Sequence, residues 1–243
     1  MYYHFRIINQ HIYDIMKNIF YTSFFLSFAF FLTAAHAQNY KARCMPFVQS
    51  PHVEIVATYE PLRYDYSKVS ATLERLHQKE YGGRLGEGHH INGLSTYNLT
   101  TVLDFEIEKK SFNDGVTCYY PTDIKLTLGI KDPIIYIARH IKKGTCAYEV
   151  TLRHEQTHQQ INIEVWEHYL PKIKEQFLET VKKYTVAGRG QDDISLEAAQ
   201  ESLQKKYLAA IEPLLDEIKA EIKHEQIKLD NQENYDYEQS LCE

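Results

Sequence analysis

Two long amphipathic runs in the last hundred residues constrain the fold of this chain more than any other feature. The first extends from Val150 to about Tyr184 and is interrupted only by Pro171. Gly188-Arg189-Gly190 predicts a turn, after which a second run extends from Ser195 to about Asn231. Pro213 lies inside this second run, where we expect a kink or a break. The spacing of the apolar residues predicts two long helices that form a hairpin.

The part of the chain before these runs favours strands. Strands are expected at 53–59, 100–107, 118–130 and 133–138, with one helix at 67–78. Asn113-Asp114-Gly115 predicts a tight turn between two of the strands. The expected fold class is therefore α+β, with a small mixed or antiparallel sheet. A single domain, 38–243, would consist of a strand-rich half with one helix, 38–145, followed by a long two-helix hairpin, 146–243.

The N-terminus has the pattern of an export signal. An apolar segment from Ile19 to Thr33 follows Lys17 and precedes Ala35-His36-Ala37, whose small residues suit signal peptidase. We expect residues 1–37 to form a signal peptide cleaved after Ala37, and Met16 is a better start than Met1. An uncleaved N-terminal anchor is the alternative. The mature chain is predicted to be secreted or periplasmic, with no membrane contact after cleavage.

Charge and cysteine content narrow the class of protein further. The formal net charge is −6 and the pI about 6.1, which argues against nucleic acid or an anionic membrane as a partner. Four cysteines remain after cleavage and predict two disulfides, in one of three pairings. They are Cys44, Cys118, Cys146 and Cys242. A bridge between Cys44 and Cys242 would tie the two mature ends together.

One pentapeptide in the first helical run carries metal chemistry. In His154-Glu155-Gln156-Thr157-His158 the two histidines stand one helical turn apart on the same face, where both can bind one Zn²⁺. Glu155 is then placed to act as general base on a zinc-activated water. The histidine face continues into an apolar stripe: Ile161, Val165, Tyr169, Ile173 and Phe177. Buried imidazoles need partners, and the alternative interpretation is an ordinary histidine pair without metal.

A catalytic zinc usually takes a third protein ligand. Folding the hairpin about Gly188 places residue 156 opposite roughly residue 220. Glu225 interrupts the apolar stripe of the second run and is our first choice, with Glu221, one turn earlier, as the second. The alternative is an ordinary acidic pair that interacts with Lys223 and Lys228.

The segment from Cys146 to His158, with Ile161, resembles an uncharacterised bacterial family of predicted secreted zinc-dependent proteases in the gluzincin-like clan. Gly93 to Thr100 is similar to a glycine and threonine element of that family, and Tyr235-Asp236 to its C-terminal Tyr-Asp pair. The resemblance implies a zinc site completed by a glutamate from the following helix. The family pattern continues to a threonine and a His-Gly, whereas this chain continues from Tyr237 to Cys242 without a histidine.

These patterns together predict an exported zinc metallopeptidase that hydrolyses protein or peptide substrates. His89-His90 is a possible substrate contact, and Tyr235 or Tyr237 is a possible source of an oxyanion-stabilising hydroxyl. One alternative is a non-catalytic export-compartment binding or structural protein with a structural zinc or no metal. Another is a zinc amidase that acts on cell-wall peptides, which shares the chemistry and differs in substrate.

Overall fold

The computed structural model describes residue 40 and residues 42–81, 91–187 and 194–242. The elements are β1 (His52–Tyr59), β2 (Arg63–Asp65), α1 (Ser70–Tyr81), β3 (Gly93–Ser111), β4 (Thr117–Ile137), α2 (Cys146–Lys183), α3 (Leu196–Leu229) and α4 (Gln232–Ser240). The predicted fold class is confirmed: a strand-rich first half with one helix precedes two long helices. The expected signal peptide, the His89-His90 pair and the Gly188 turn lie outside the described residues.

Strand β4 organises the sheet, because it pairs with each of the other three strands. β1 lies parallel to residues 123–130 of β4, and β2 lies parallel to residues 134–136. β3 and β4 are joined by a connection too short for a parallel crossover, so the chain reverses there. The predicted turn lies in this connection, where Gly115 has a φ of +87° and its backbone N–H donates to the Phe112 carbonyl at 3.1 Å.

The two strands predicted at 118–130 and 133–138 form a single continuous strand, β4, and the residues between them do not break it. Asp132 there adopts a positive φ of 50°. Its backbone N–H donates to Glu60 Oε2 at 2.9 Å, and its carboxylate accepts from Arg63 at 2.8 Å. These contacts hold a conformation that Asp tolerates better than most residues. The strand expected at 100–107 is longer in the structure, where it forms β3 from Gly93 to Ser111.

The chain separates into two compact units. The smaller contains residue 40 and the described residues 42–50, 107–122, 184–187 and 194–203. Its apolar centre is the disulfide Cys44–Cys118, whose two cysteines are fully buried with Tyr40 beside them. The Tyr40 hydroxyl donates to the Ala187 carbonyl at 2.7 Å. A buried disulfide and a satisfied hydroxyl stabilise this small core.

The larger unit contains residues 51–81, 91–106, 123–183 and 204–242 of the described chain. β4 contributes alternating buried residues to its core: Ile124, Leu126, Leu128 and Ile130. Within this unit α2 and α3 run antiparallel, as three contacts between them show. Asn162 accepts from Gln226, Tyr169 donates to Glu221, and the ring of Phe177 lies 5.9 Å from that of Tyr207.

The two long helices, α2 and α3, continue through their internal prolines. Pro171 lies inside α2 and Pro213 inside α3, and neither helix ends there. A third helix, α4, follows α3 directly, and the second disulfide joins Cys146 at the start of α2 to Cys242 just after α4. The predicted Cys44–Cys242 bridge is therefore wrong, although all four cysteines are paired as expected. No helix in the described ranges has the length and apolar character needed to span a membrane.

Candidate metal centre

His154 and His158 lie on the buried face of α2, one turn apart as predicted, and are 6% and 7% exposed. Their Nε2 atoms are 3.1 Å apart. The Oδ1 atom of Asp230 lies 3.1 Å from each of these nitrogens. Three potential ligand atoms from two helical segments thus converge on one point, and this group could hold a metal ion.

The geometry and chemistry of these three atoms fit a cation. Tetrahedral ligation at about 2.0–2.1 Å separates neighbouring ligand atoms by about 3.3–3.4 Å, close to the observed triangle. Without a cation, two imidazole nitrogens facing each other can share only one proton, and both are withdrawn from water. The Asp230 oxygen supplies a negative charge rather than a proton. A metal ion therefore satisfies all three atoms better than protons do.

The end of α3 explains how Asp230 reaches the histidines. Leu229 is the last residue of α3, and Asp230 lies in the bend that follows. Asn231 begins the next helix as its N-cap, because its side chain accepts from the Asn234 backbone N–H at 2.8 Å. The chain changes direction between Asp230 and Asn231. Asp230 consequently projects from a helix end instead of a helix face.

Glu155 lies beside the histidines and is 5% exposed. Burial raises the pKa of its carboxyl group to about 7, although the charges of His158 and His154 act in the opposite direction. Gly93 at the start of β3 leaves room for this side chain. A Cβ atom on Gly93 would lie 2.4 Å from Glu155 Oε1 and 2.7 Å from Thr151 Cγ2. The close approach of strand and carboxylate therefore requires glycine at this position.

Two further hydrogen-bonded contacts fix α2 around the histidines. Gln159 donates to Ser95 Oγ at 2.6 Å and to the Thr96 carbonyl at 3.0 Å, which ties the helix to β3. One turn beyond His158, the buried Asn162 accepts from Gln226 at 2.7 Å. Gln226 precedes Asp230 by one turn of α3. This polar pair sets the register that carries Asp230 to the histidines, since a buried amide pair tolerates little sliding.

Helix α4 returns two side chains to the site. The Tyr235 hydroxyl donates to Asp230 Oδ1 at 2.7 Å, and its ring lies 5.3 Å from the ring of His154. Glu238, one turn later, places Oε2 3.0 Å from Nδ1 of His154. Tyr237, the other tyrosine considered from the sequence, is 62% exposed.

The carboxylates and imidazoles shift one another's ionisation. Burial alone would raise the pKa of Asp230, but hydrogen bonds from His154 and His158 outweigh it and lower that pKa. Burial alone would lower the pKa of His154, but its bond to Asp230 and the charges of Glu155 and Glu238 raise it instead. The site therefore attracts positive charge, as a cation site must.

The third ligand predicted from the sequence is not in this group. Glu225 is paired with Lys228 at 2.6 Å, and Glu221 accepts from Tyr169 at 2.7 Å. The predicted register implied that Asn162 would oppose residue 214, but it contacts Gln226, 12 residues further along. Asp230, and not Glu225, is the carboxylate that lies beside the two histidines.

Sequence reasoning missed Asp230 and Glu238, although one signal pointed to them. Asn231 and Asn234 follow the last apolar residue of the second run, and asparagine is a preferred N-cap. A helix stop at Asp230 and a new start at Asn231 would have drawn attention to the carboxylate at the break. Nothing in the sequence alone gives the direction of α4.

Comparison of the chain with models of protein families, with curated proteins and with solved structures finds no match. The class that fold and site define is therefore a mixed α and β protein with a candidate metal centre on a helical His-Glu-x-x-His motif.

Proposed function

We propose that this chain is an exported zinc metallopeptidase that hydrolyses peptide bonds in protein or peptide substrates. The observation that carries the proposal is the convergence of His154 Nε2, His158 Nε2 and Asp230 Oδ1 within 3.1 Å of one another, next to buried Glu155. Two imidazoles and a carboxylate are a ligand set typical of catalytic zinc. The motif's resemblance to predicted secreted zinc-dependent proteases supports the same conclusion.

The number and exposure of the ligands favour catalysis over a purely structural ion. A structural zinc is normally enclosed by four protein ligands, whereas a catalytic zinc keeps one position for water or substrate. The group contains three side chains from the described residues. The Asp230 side chain is 37% exposed, while those of His154 and His158 are 7% and 9% exposed. A substrate would therefore approach from the side of Asp230.

In the proposed reaction Glu155 moves the proton. A bound zinc ion would polarise the substrate carbonyl and make water a better nucleophile. Glu155 accepts the proton that the attacking water gives up, and the amine of the broken peptide bond then receives it. Burial raises the pKa of metal-free Glu155, and a bound dication would lower it again and favour the base form that accepts this proton.

The compartment is part of the proposal. Disulfides persist in oxidising compartments, and this chain forms two of them. The apolar segment ending at Ala35-His36-Ala37 supplies the export signal at the sequence level. We therefore place the enzyme in the periplasm or outside the cell.

Exchange of Glu155 for Gln separates catalysis from metal binding. The purified exported protein should bind about one zinc ion per chain, and Glu155→Gln should retain that zinc while losing hydrolysis of an unstructured protein such as casein. Glu149→Gln, on the exposed face of the same helix, is the matched control and should keep full activity. Hydrolysis that survives in Glu155→Gln contradicts the enzyme proposal. If His154→Ala then unfolds the protein, the ion has the structural role of the alternative.

A further inference from the structure

Nδ1 of His154 lies 3.0 Å from Glu238 Oε2, an approach that metal binding through Nε2 does not use. Both side chains are shielded from water, with 7% of His154 and 13% of Glu238 exposed. The distance is that of a charge-assisted hydrogen bond, but the angle of the present rotamers falls outside hydrogen-bond geometry.

The chemistry of imidazole makes this approach significant. A neutral histidine carries one ring proton, so a ring that binds a metal through Nε2 must carry the proton on Nδ1. That proton needs an acceptor, and a carboxylate there fixes the tautomer and increases the basicity of the ligand nitrogen. His158 offers a contrast, because its Nδ1 is buried and bonds to no residue in the described part of the chain.

We propose that Glu238 is a positioning residue for the metal centre: its carboxylate accepts a hydrogen bond from Nδ1–H of His154 and so presents Nε2 to the ion. The inference rests on the proposed zinc site, and it assigns a role to a residue of the C-terminal segment. In that segment the chain departs from the protease family that its motif resembles.

Specific contacts hold helix α4, and with it Glu238, beside α2. No residue of α4 is fully buried. Asn231 caps its first turn, and Tyr235, on the same face as Glu238, bonds to Asp230. The disulfide from Cys242 to Cys146 fixes the other end. The cap, the tyrosine and the disulfide therefore hold the helix that carries Glu238 beside His154.

The experiment compares Glu238→Ala and Glu238→Gln with the control Glu233→Gln, which removes the same charge from an exposed position on the same helix. Zinc affinity is measured by competition with a chromophoric chelator, and the exchange of the His154 Nδ1 proton by NMR of the zinc-bound, ¹⁵N-labelled protein. Glu238→Ala should weaken zinc binding by about 10–100-fold. Glu238→Gln should weaken it less, because an amide oxygen still accepts a hydrogen bond. Glu233→Gln should bind like the wild type.

The NMR readout separates positioning from simple stabilisation. In the zinc-bound wild type the Nδ1 proton of His154 should be protected from exchange with water, and in Glu238→Ala it should exchange faster while the Nδ1 proton of His158 is unchanged. Wild-type zinc affinity in Glu238→Ala, or unchanged exchange of the His154 Nδ1 proton, would overturn the role of Glu238 and leave the zinc site standing. A wild-type protein that binds no zinc would overturn both this inference and the proposed function.

Discussion

The two halves of α2 share one helix but bury different chemistry. The N-terminal half buries mainly polar side chains: His154, Glu155, His158, Gln159 and Asn162. The C-terminal half buries mainly apolar ones: Val165, Trp166, Tyr169, Ile173 and Phe177. Burial of the apolar set is favourable in itself, whereas the polar set is stable only with partners. The comparison teaches that the N-terminal half is organised around polar groups that could hold a metal ion, and not around packing alone.

Phe177→Ala tests the apolar half and should have the largest effect on stability. The ring is fully buried, so its removal should lower the free energy of unfolding by about 3–5 kcal/mol, through lost burial and a cavity. Zinc affinity should not change. Urea unfolding and chelator competition measure the two quantities. Glu175→Ala, exposed on the same half, should change the unfolding free energy by less than about 0.5 kcal/mol.

Asp230→Ala tests the polar half and should mainly lower zinc affinity, where Phe177→Ala mainly lowers stability. If three ligands share about 10–16 kcal/mol of zinc binding, the loss of one weakens affinity by about 4 kcal/mol, or about a thousandfold. The control is Glu225→Ala, which removes the carboxylate favoured from the sequence and should leave zinc affinity unchanged. Loss of zinc binding in Glu225→Ala with retention in Asp230→Ala would reverse our assignment of the third ligand.

The failure to find Asp230 from the sequence has a physical reason. The spacing of His154 and His158 is local, and a helix alone fixes their common face. The position of Asp230 depends on the register of two helices, which the buried Asn162–Gln226 hydrogen bond helps to fix. Such long-range contacts leave no local periodicity. The same limit explains the missed parallel pairing of β2 with β4.

Other elements could be predicted because their signals are local. Asn113-Asp114-Gly115 forms the expected turn, since Gly115 takes the positive φ that this turn needs. β1 and the two long helices appear close to their expected bounds. Local sequence signals could not distinguish the three possible disulfide pairings, because the pairing depends on long-range contacts. The Cys44–Cys242 bridge that would have joined the mature ends does not form.

Replacing both Cys146 and Cys242 with Ser should affect both halves of the comparison. The bridge closes a loop with a sequence separation of 96, and its loss should lower the free energy of unfolding by about 2–4 kcal/mol. Zinc affinity should also fall, because α4 has no fully buried residue to hold Tyr235 near Asp230. Replacing Cys44 and Cys118 should lower stability without altering zinc affinity. Equal zinc affinity in both double variants would argue against a role for α4 at the site.

A change of one pH unit should have the smallest effect on zinc affinity among these tests. A proton competes with zinc for each histidine, and the pKa of metal-free His154 is raised above its ordinary value. As the pH falls through that raised pKa, zinc affinity should weaken by about tenfold per pH unit. Isothermal titration calorimetry between about pH 8 and about pH 5 measures this slope. An affinity that stays constant over the range would mean that the histidines are not ligands.

The most direct measurement is the metal content and ligand environment of the purified protein. Elemental analysis after equilibration with zinc and removal of excess should find about one zinc ion per chain. X-ray absorption at the zinc edge should then show two imidazoles and a carboxylate oxygen at about 2.0–2.2 Å, with the imidazole signal lost when His154 and His158 are both replaced. A metal-replete protein without zinc, or a zinc environment without imidazole, would contradict the account.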